Sequence, residues 1–294
     1  MDGDLPRVEG VEHRFVEARG VRFHVAEAGS GPPVLLLHGW PQHWYMWRHV
    51  IARMRASHRL IAPDLRGFGW SEAPGEGYDG ETFAADAVAL LDELGIERAL
   101  VLGHDWGGWT AMLLGLLEPG RVERMVVLNA PHPWPRIGIG LLPELWRSWY
   151  TWVSAAPLLG PWAVRRAGLA KAILNRGNVH EPFEPGEVDL YLERLREPER
   201  ARATSLLYRY YQRALADGLR RRWRSRRLTV PALILFGARD RYLSPKLLAG
   251  GEGHADELAI ELVPDSGHFI ANEKPDLVAG RALDFFAKAE PRRR

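Results

Sequence analysis

The sequence predicts an α/β fold, a mostly parallel doubly wound sheet with a helical insertion after the sixth strand. Three observations carry that expectation. Short, predominantly apolar runs at 34–37, 60–63, 98–103, 122–128 and 230–236 read as strands buried on both faces. Segments with apolar residues at helical spacing separate most of them, which implies parallel pairing through right-handed crossovers. This alternation stops after Asn129 and resumes at Val230.

Each element has its own signal. Residues 11–28 read as two strands joined by Arg19-Gly20, with period-two alternation over Val21–Ala26. Ala28–Pro33 is a turn. The run Val34–Leu37 ends in His38-Gly39-Trp40-Pro41, and a helix is expected over roughly 43–55. Leu60–Pro63 leads into Asp64–Ser71, a loop punctuated by Gly67 and Gly69. Phe83, Val88, Leu91 and Leu94 mark a helix that Gly95 closes. A strand over 98–103, a corner at Asp105, a helix over 106–118, a stop at Pro119-Gly120 and a strand over 122–128 follow. After the insertion come a strand at 230–236, a helix near 244–250, a strand at 258–263 and a helix over 274–288. Residues 1–130 and 228–294 are therefore expected to form the core domain, and 131–227 a helical cap. Ligands of open α/β sheets bind beyond the carboxyl ends of the strands, so an insertion leaving from there covers the site.

Composition bounds the function. A chain of 294 residues that is 46% hydrophobic and 26% charged can bury a proper core and is not a disordered polymer. The net charge is only +2, so the run Arg220-Arg221-Arg222-Trp223-Arg224-Ser225-Arg226-Arg227 reads as a solvated face, not a nucleic-acid contact. There are no cysteines, which excludes disulfides, thiolate catalysis and Cys-ligated zinc. Met1–Pro6 lacks the apolar core of a signal peptide, and no apolar run is long enough for membrane insertion. The expectation is a cytoplasmic monomer or homodimer that uses no cofactor and no metal.

The chemistry gathers at the corner Gly103-His104-Asp105-Trp106-Gly107-Gly108. An apolar strand ends there, a helix begins, and glycines two places either side of Asp105 permit a sharp turn. Asp105 taken alone could be an ordinary N-cap. Two further strand ends carry reactive groups, Asp240 after the strand at 230–236 and His268 after the strand at 258–263. A carboxylate nucleophile suits attack on a saturated carbon. The ester it forms is cleavable by water, whereas a serine would be left as an ether. His268 would then activate the water, with Asp240 orienting the imidazole.

These residues resemble the α/β-hydrolase superfamily and, most closely, its epoxide hydrolases. The likeness rests on His38-Gly39-Trp40-Pro41, the Asp105 corner, Asp240 and Ser266-Gly267-His268-Phe269, in the order nucleophile, acid, histidine. It implies catalysis by Asp105, His268 and Asp240, with the N–H groups of Trp40 and Trp106 holding the oxyanion. It also implies two cap tyrosines that donate to the leaving oxygen. Leu207-Tyr208-Arg209 resembles the second and Trp149-Tyr150-Thr151 the first; Tyr210 and Tyr211 are alternatives. The implied substrates are water and an apolar or aromatic epoxide. A haloalkane dehalogenase would use the same triad, but many carry a polar residue where Trp40 stands. Fluoroacetate-type enzymes place arginines where Trp106 and Trp109 stand. A non-catalytic ligand-binding protein would have no need of Asp240 and His268.

Overall fold

The computed structural model describes residues 5–136, 144, 146–166, 168–180, 182–216 and 222–288. Its centre is one eight-stranded sheet in the order β1-β2-β4-β3-β5-β6-β7-β8. The strands are β1 (Val11–Ala18), β2 (Val21–Ala28), β3 (Pro33–Leu37), β4 (Arg59–Pro63), β5 (Ala99–His104), β6 (Val122–Leu128), β7 (Ala232–Gly237) and β8 (Leu258–Val263). β1 and β2 form an antiparallel hairpin, β2 pairs antiparallel with β4, and every later pair is parallel. All residues of β3, β5 and β7 are buried, as their unbroken apolar runs require of strands covered on both faces.

The strand order explains where a site can form. From β3 the chain steps to β4 on one side, then crosses back to β5 on the other. At that switch point the loops leaving β3 and β5 diverge from a shared edge and leave a crevice above the sheet. Trp40 lies in the first loop and Asp105 begins the second.

The helices α1 (Arg48–Met54), α2 (Gly80–Glu93) and α3 (Trp106–Leu117) connect the early strands, and α9 (Pro275–Phe286) follows β8. Asp79 starts α2 by accepting the Thr82 N–H at 2.8 Å. α1 packs on α9, and α2 on α3. Between β6 and β7 lie α4 (Trp149–Ala155), α5 (Leu159–Arg165), α6 (Leu169–Gly177), α7 (Glu187–Leu195) and α8 (Pro198–Ala216). Among the described residues this segment contributes no strand to the sheet. α4, α5 and α8 pack together, and α6 lies on α7.

The insert is joined to the sheet domain by buried polar contacts. Arg48 of α1 donates through both terminal nitrogens to Glu187 of α7, at 2.7 and 2.8 Å. Tyr191 and Asn272 also donate to Glu187, so that carboxylate is satisfied away from water.

One expected helix is absent. The segment near 244–250 forms only a 3₁₀ turn, Pro245–Leu248, because Ala249 is extended and Gly250 has a positive φ. In the arginine run, Arg222 pairs with Glu81 and Arg227 with Asp256, the balanced surface expected of it; Arg220 and Arg221 lie outside the described residues.

Candidate active site

Asp105 sits at the apex of the turn from β5 to α3 with φ 50 and ψ −116. A non-glycine residue rarely adopts this conformation, so the surroundings must impose it. The Asp105 N–H donates to Leu128 O at 3.0 Å, and its carbonyl accepts Trp109 N–H at 2.9 Å. The flanking glycines are required by close approach. A Cβ on Gly103 would lie 2.4 Å from Gly107 O, and one on Gly107 would lie 2.0 Å from Leu37 O. Asp105 holds the N-cap position of α3, but its side chain makes no capping hydrogen bond there, so capping does not explain the residue. Its Oδ2 instead accepts the Trp40 N–H at 3.0 Å from across the switch point.

Burial raises the Asp105 carboxyl to about 6, with His268 and the N–H groups of Trp106 and Trp40 opposing that rise. The sequence alone implied an ordinary carboxylate near 4. The group is still mostly ionised at pH 7.

The other two residues expected to act with Asp105 follow β7 and β8. His268 Nε2 lies 3.9 Å from Asp105 Oδ1, and His268 Nδ1 lies 2.8 Å from Asp240 Oδ2. Burial alone would lower the imidazole, but the Asp240 carboxylate outweighs it and holds His268 above its usual value. Burial alone would raise Asp240, but His268 and several donors hold it below the usual carboxylate range. Those donors are the N–H groups of Tyr242 at 2.7 Å and Leu243 at 3.0 Å on Oδ1, and Asn129 Nδ2 at 2.7 Å on Oδ2.

Tyr150 and Tyr208 are both buried and face the same crevice. Their rings meet edge to face at 5.7 Å between centroids, and Trp40 stacks on Tyr150 at 6.0 Å. Both phenols are pushed well above 10, chiefly by burial and further by the charge of Asp105, so both remain O–H donors at neutral pH. Both alternatives also line the cavity, but the Tyr210 hydroxyl donates to Glu81 at 2.8 Å, while the Tyr211 ring lies against Trp106. Tyr191 serves Glu187.

Asp105, Trp106, Trp109, Tyr150, Tyr208 and Leu243 help enclose a cavity of about 140 Å³. No arginine or lysine lines it among the described residues. Neither of the two central indoles is idle. Trp40 Nε1 donates to Thr204 Oγ1 at 3.1 Å, and the Trp106 side chain bonds Tyr208. Among the described residues no cluster of side chains could hold a metal ion.

Four residues around this site were missed by sequence reasoning. Asn129 directly follows β6 with φ 46 and bonds both Asp240 and Gly267 O. His104 Nε2 bonds His268 O at 2.8 Å; burial drops this imidazole to about 3, so it is neutral and donates. Gly177 of α6 accepts the His268 N–H at 2.8 Å. Glu273 is buried and accepts four hydrogens, from Ser266 Oγ and the N–H groups of Gly267, Val179 and His180. Asn129 was detectable as a polar residue at a strand's carboxyl end. Nothing in the sequence marks Gly177 or Glu273 as neighbours.

Fold and site together define an α/β hydrolase. A family model described as alpha/beta hydrolase fold matches residues 32–275. The chain is 34% identical to the AB hydrolase superfamily protein YfhM of Bacillus subtilis (strain 168), over 95% of this chain and 99% of that protein. It is 31% identical to the soluble epoxide hydrolase of Corynebacterium sp. (strain C12), over 94% and 98%. The solved structure of the epoxide hydrolase CorEH without ligand is similar to this chain at a TM-score of 0.83 and 30% identity, covering 94% of this chain and 99% of that one. The chain belongs to the α/β-hydrolase family and, within it, to the epoxide hydrolases; it is a hydrolase.

Proposed function

We propose that this chain hydrolyses an apolar or aromatic epoxide to a vicinal diol through a covalent ester on Asp105. The observation that carries this reading is the convergence of one carboxylate and two un-ionised phenols on one apolar cavity, with a His–Asp pair reaching that carboxylate. The Asp105 carboxylate attacks an epoxide carbon, the C–O ester bond forms, and the ring C–O bond breaks. The leaving alkoxide takes a proton from Tyr150 or Tyr208. His268 then removes a proton from water, and the hydroxide adds to the Asp105 carbonyl carbon. The N–H groups of Trp40 and Trp106 stabilise the oxyanion. Collapse expels the diol and restores the carboxylate, and the proton on His268 returns to the tyrosine. Asp240 stabilises the imidazolium between these steps.

On this reading residues 131–227 form the cap. It supplies Tyr150 and Tyr208, while the sheet domain, 1–130 and 228–294, supplies the rest. The engagement of both indoles argues against a halide site, which needs free donors. The absence of a cation from the described lining argues against an anionic substrate. The test is incubation of His268→Gln with styrene oxide. Adding water to the ester then lacks its base, so intact protein mass should rise by one substrate. No adduct, or halide release from bromoalkanes without diol formation from any epoxide, would refute the reading.

A further inference from the structure

The helix α4 has two faces of opposite use. Tyr150, Thr151 and Ser154 point inward and are buried, and the first two line the cavity. Trp149 and Trp152, three residues apart and so on one face, are 47% and 64% exposed. The exposed apolar surface continues beyond α4. Leu158, Leu159 and Trp162 are 88%, 49% and 56% exposed. Single exposed apolar side chains need no explanation, but a contiguous set marks an interaction surface.

Leu158 sharpens the point. It links α4 to α5 with φ 62 and ψ −50, a tight turn in which Leu159 N–H bonds Pro157 O at 2.6 Å. Glycine would relieve this backbone strain. The chain instead places a large apolar side chain there, held almost wholly in water.

The same surface is basic. Arg165 and Arg166 at the end of α5, with Arg202 and Arg209 on α8, line one groove with Leu158 and Trp162. No carboxylate lines this groove, and none of these four arginines forms an ion pair among the described residues. Arg165 and Arg209 are held in place by the main-chain carbonyls of Arg196 and Ala155. A second copy of the chain would oppose these positive charges with its own across a two-fold axis, which disfavours self-association.

We propose that this face, formed by α4, α5 and the outer side of α8, docks on the surface of an anionic lipid bilayer. Tryptophan rings sit at the headgroup level, leucines enter the acyl boundary, and arginines meet lipid phosphates while their stems lie on apolar surface. This attachment is peripheral, since no described helix is long and apolar enough to cross a membrane. It sets the α4 wall of the cavity one helix thickness from the lipid, so apolar molecules dissolved in the bilayer are delivered beside the site. The docking does not depend on which reaction the cavity performs.

The test is flotation of the full-length chain with phosphatidylglycerol vesicles and, separately, with phosphatidylcholine vesicles. Binding is expected to the first, much less to the second, and to fall with added salt. The variants W152S/L158G/W162S and R166E/R202E should each lower the partition coefficient by roughly tenfold or more. Leu158→Gly alone relieves strain, so weaker binding with an unchanged or raised melting temperature separates docking from unfolding. No binding to phosphatidylglycerol vesicles, or equal binding by wild type and both variants, overturns the proposal. So does a dimer in sedimentation equilibrium that W152S/L158G/W162S converts to monomer.

Discussion

The sheet domain and the helical insert hold their halves of the cavity in different ways. Asp105, Asp240 and His268 stand just beyond β5, β7 and β8, and main-chain bonds fix each of them. Burial raises Asp105, whereas the mutual attraction of Asp240 and His268 overcomes burial, lowering Asp240 and raising His268. Tyr150 and Tyr208 stand on the faces of α4 and α8, positioned mainly by ring contacts with Trp40, Trp106 and each other. They carry no charge, and burial keeps them neutral. Strand ends thus supply preorganised charge, and helix faces supply shape and neutral donors.

The sharpest way to break this division is to remove Asp105, the proposed nucleophile. Asp105→Ala should lower epoxide turnover by about 10⁴-fold or more, because no other group can form the ester. In the wild type, kcat/KM should fall roughly tenfold for each pH unit below about 6, as Asp105 takes up a proton. The hydrolytic step should also weaken in acid, since His268 must be neutral and its value is raised. No alkaline loss from the tyrosines is expected up to about pH 10. A flat rate between pH 5 and 8 would contradict this account.

The raised value of Asp105 also costs stability, with a definite sign. An unfolded aspartate ionises near 3.8 and the folded one near 6, so the folded state is penalised for ionisation. The penalty is absent below the unfolded value, grows as pH rises between the two, and is complete above about 6. Asp105→Asn should therefore be more stable than wild type at pH 8, by up to about 3 kcal/mol. Near pH 4 the gain should vanish. Thermal melts of both proteins across that range measure it, and a gain that grew toward acid would reverse the argument.

The insert should respond differently. Tyr150→Phe and Tyr208→Phe each keep the ring packing and remove one O–H donor. Each should slow epoxide opening, and the double change by about 10²-fold or more. Stability should change little for Tyr150→Phe. If single-turnover kinetics showed ester formation unaffected in the double variant, the phenols would be packing residues only.

The two regions were also unequally legible. β6 and β8 have the limits read from the sequence, and the Asp105 corner was recognisable because it demands small residues at fixed offsets. Asp240 and His268 followed from strand ends in order. In the insert, helical spacing marks an inner face but cannot say what that face touches. Tyr208 and Tyr210 are two residues apart on one helix and both line the cavity, yet the Tyr210 hydroxyl donates to Glu81 while the Tyr208 ring meets Tyr150 and Trp40. Only packing separates them. The lift of Asp105 to about 6 was equally invisible, because it comes from burial in the folded chain, which outweighs the opposing pull of a histidine from a distant loop.

Glu273 tests the boundary between the regions. Its Oε1 accepts Val179 and His180 N–H from the insert, and its Oε2 accepts Gly267 N–H and Ser266 Oγ–H beside His268. A carboxylate can serve donors on both sides, but a carboxamide must turn its NH₂ toward one of the two pairs. Glu273→Gln should thus leave two donors facing a donor, at a cost of about 1–3 kcal/mol in stability. Glu273 does not line the cavity, so KM should be nearly unchanged. The His268 loop loses its fixed place, so kcat should fall about tenfold, with the ester accumulating during turnover. Rapid-quench mass spectrometry distinguishes the outcomes. A variant that melts earlier yet turns over normally at low temperature, with no accumulated ester, would make Glu273 a brace for the insert and not a positioning residue for His268.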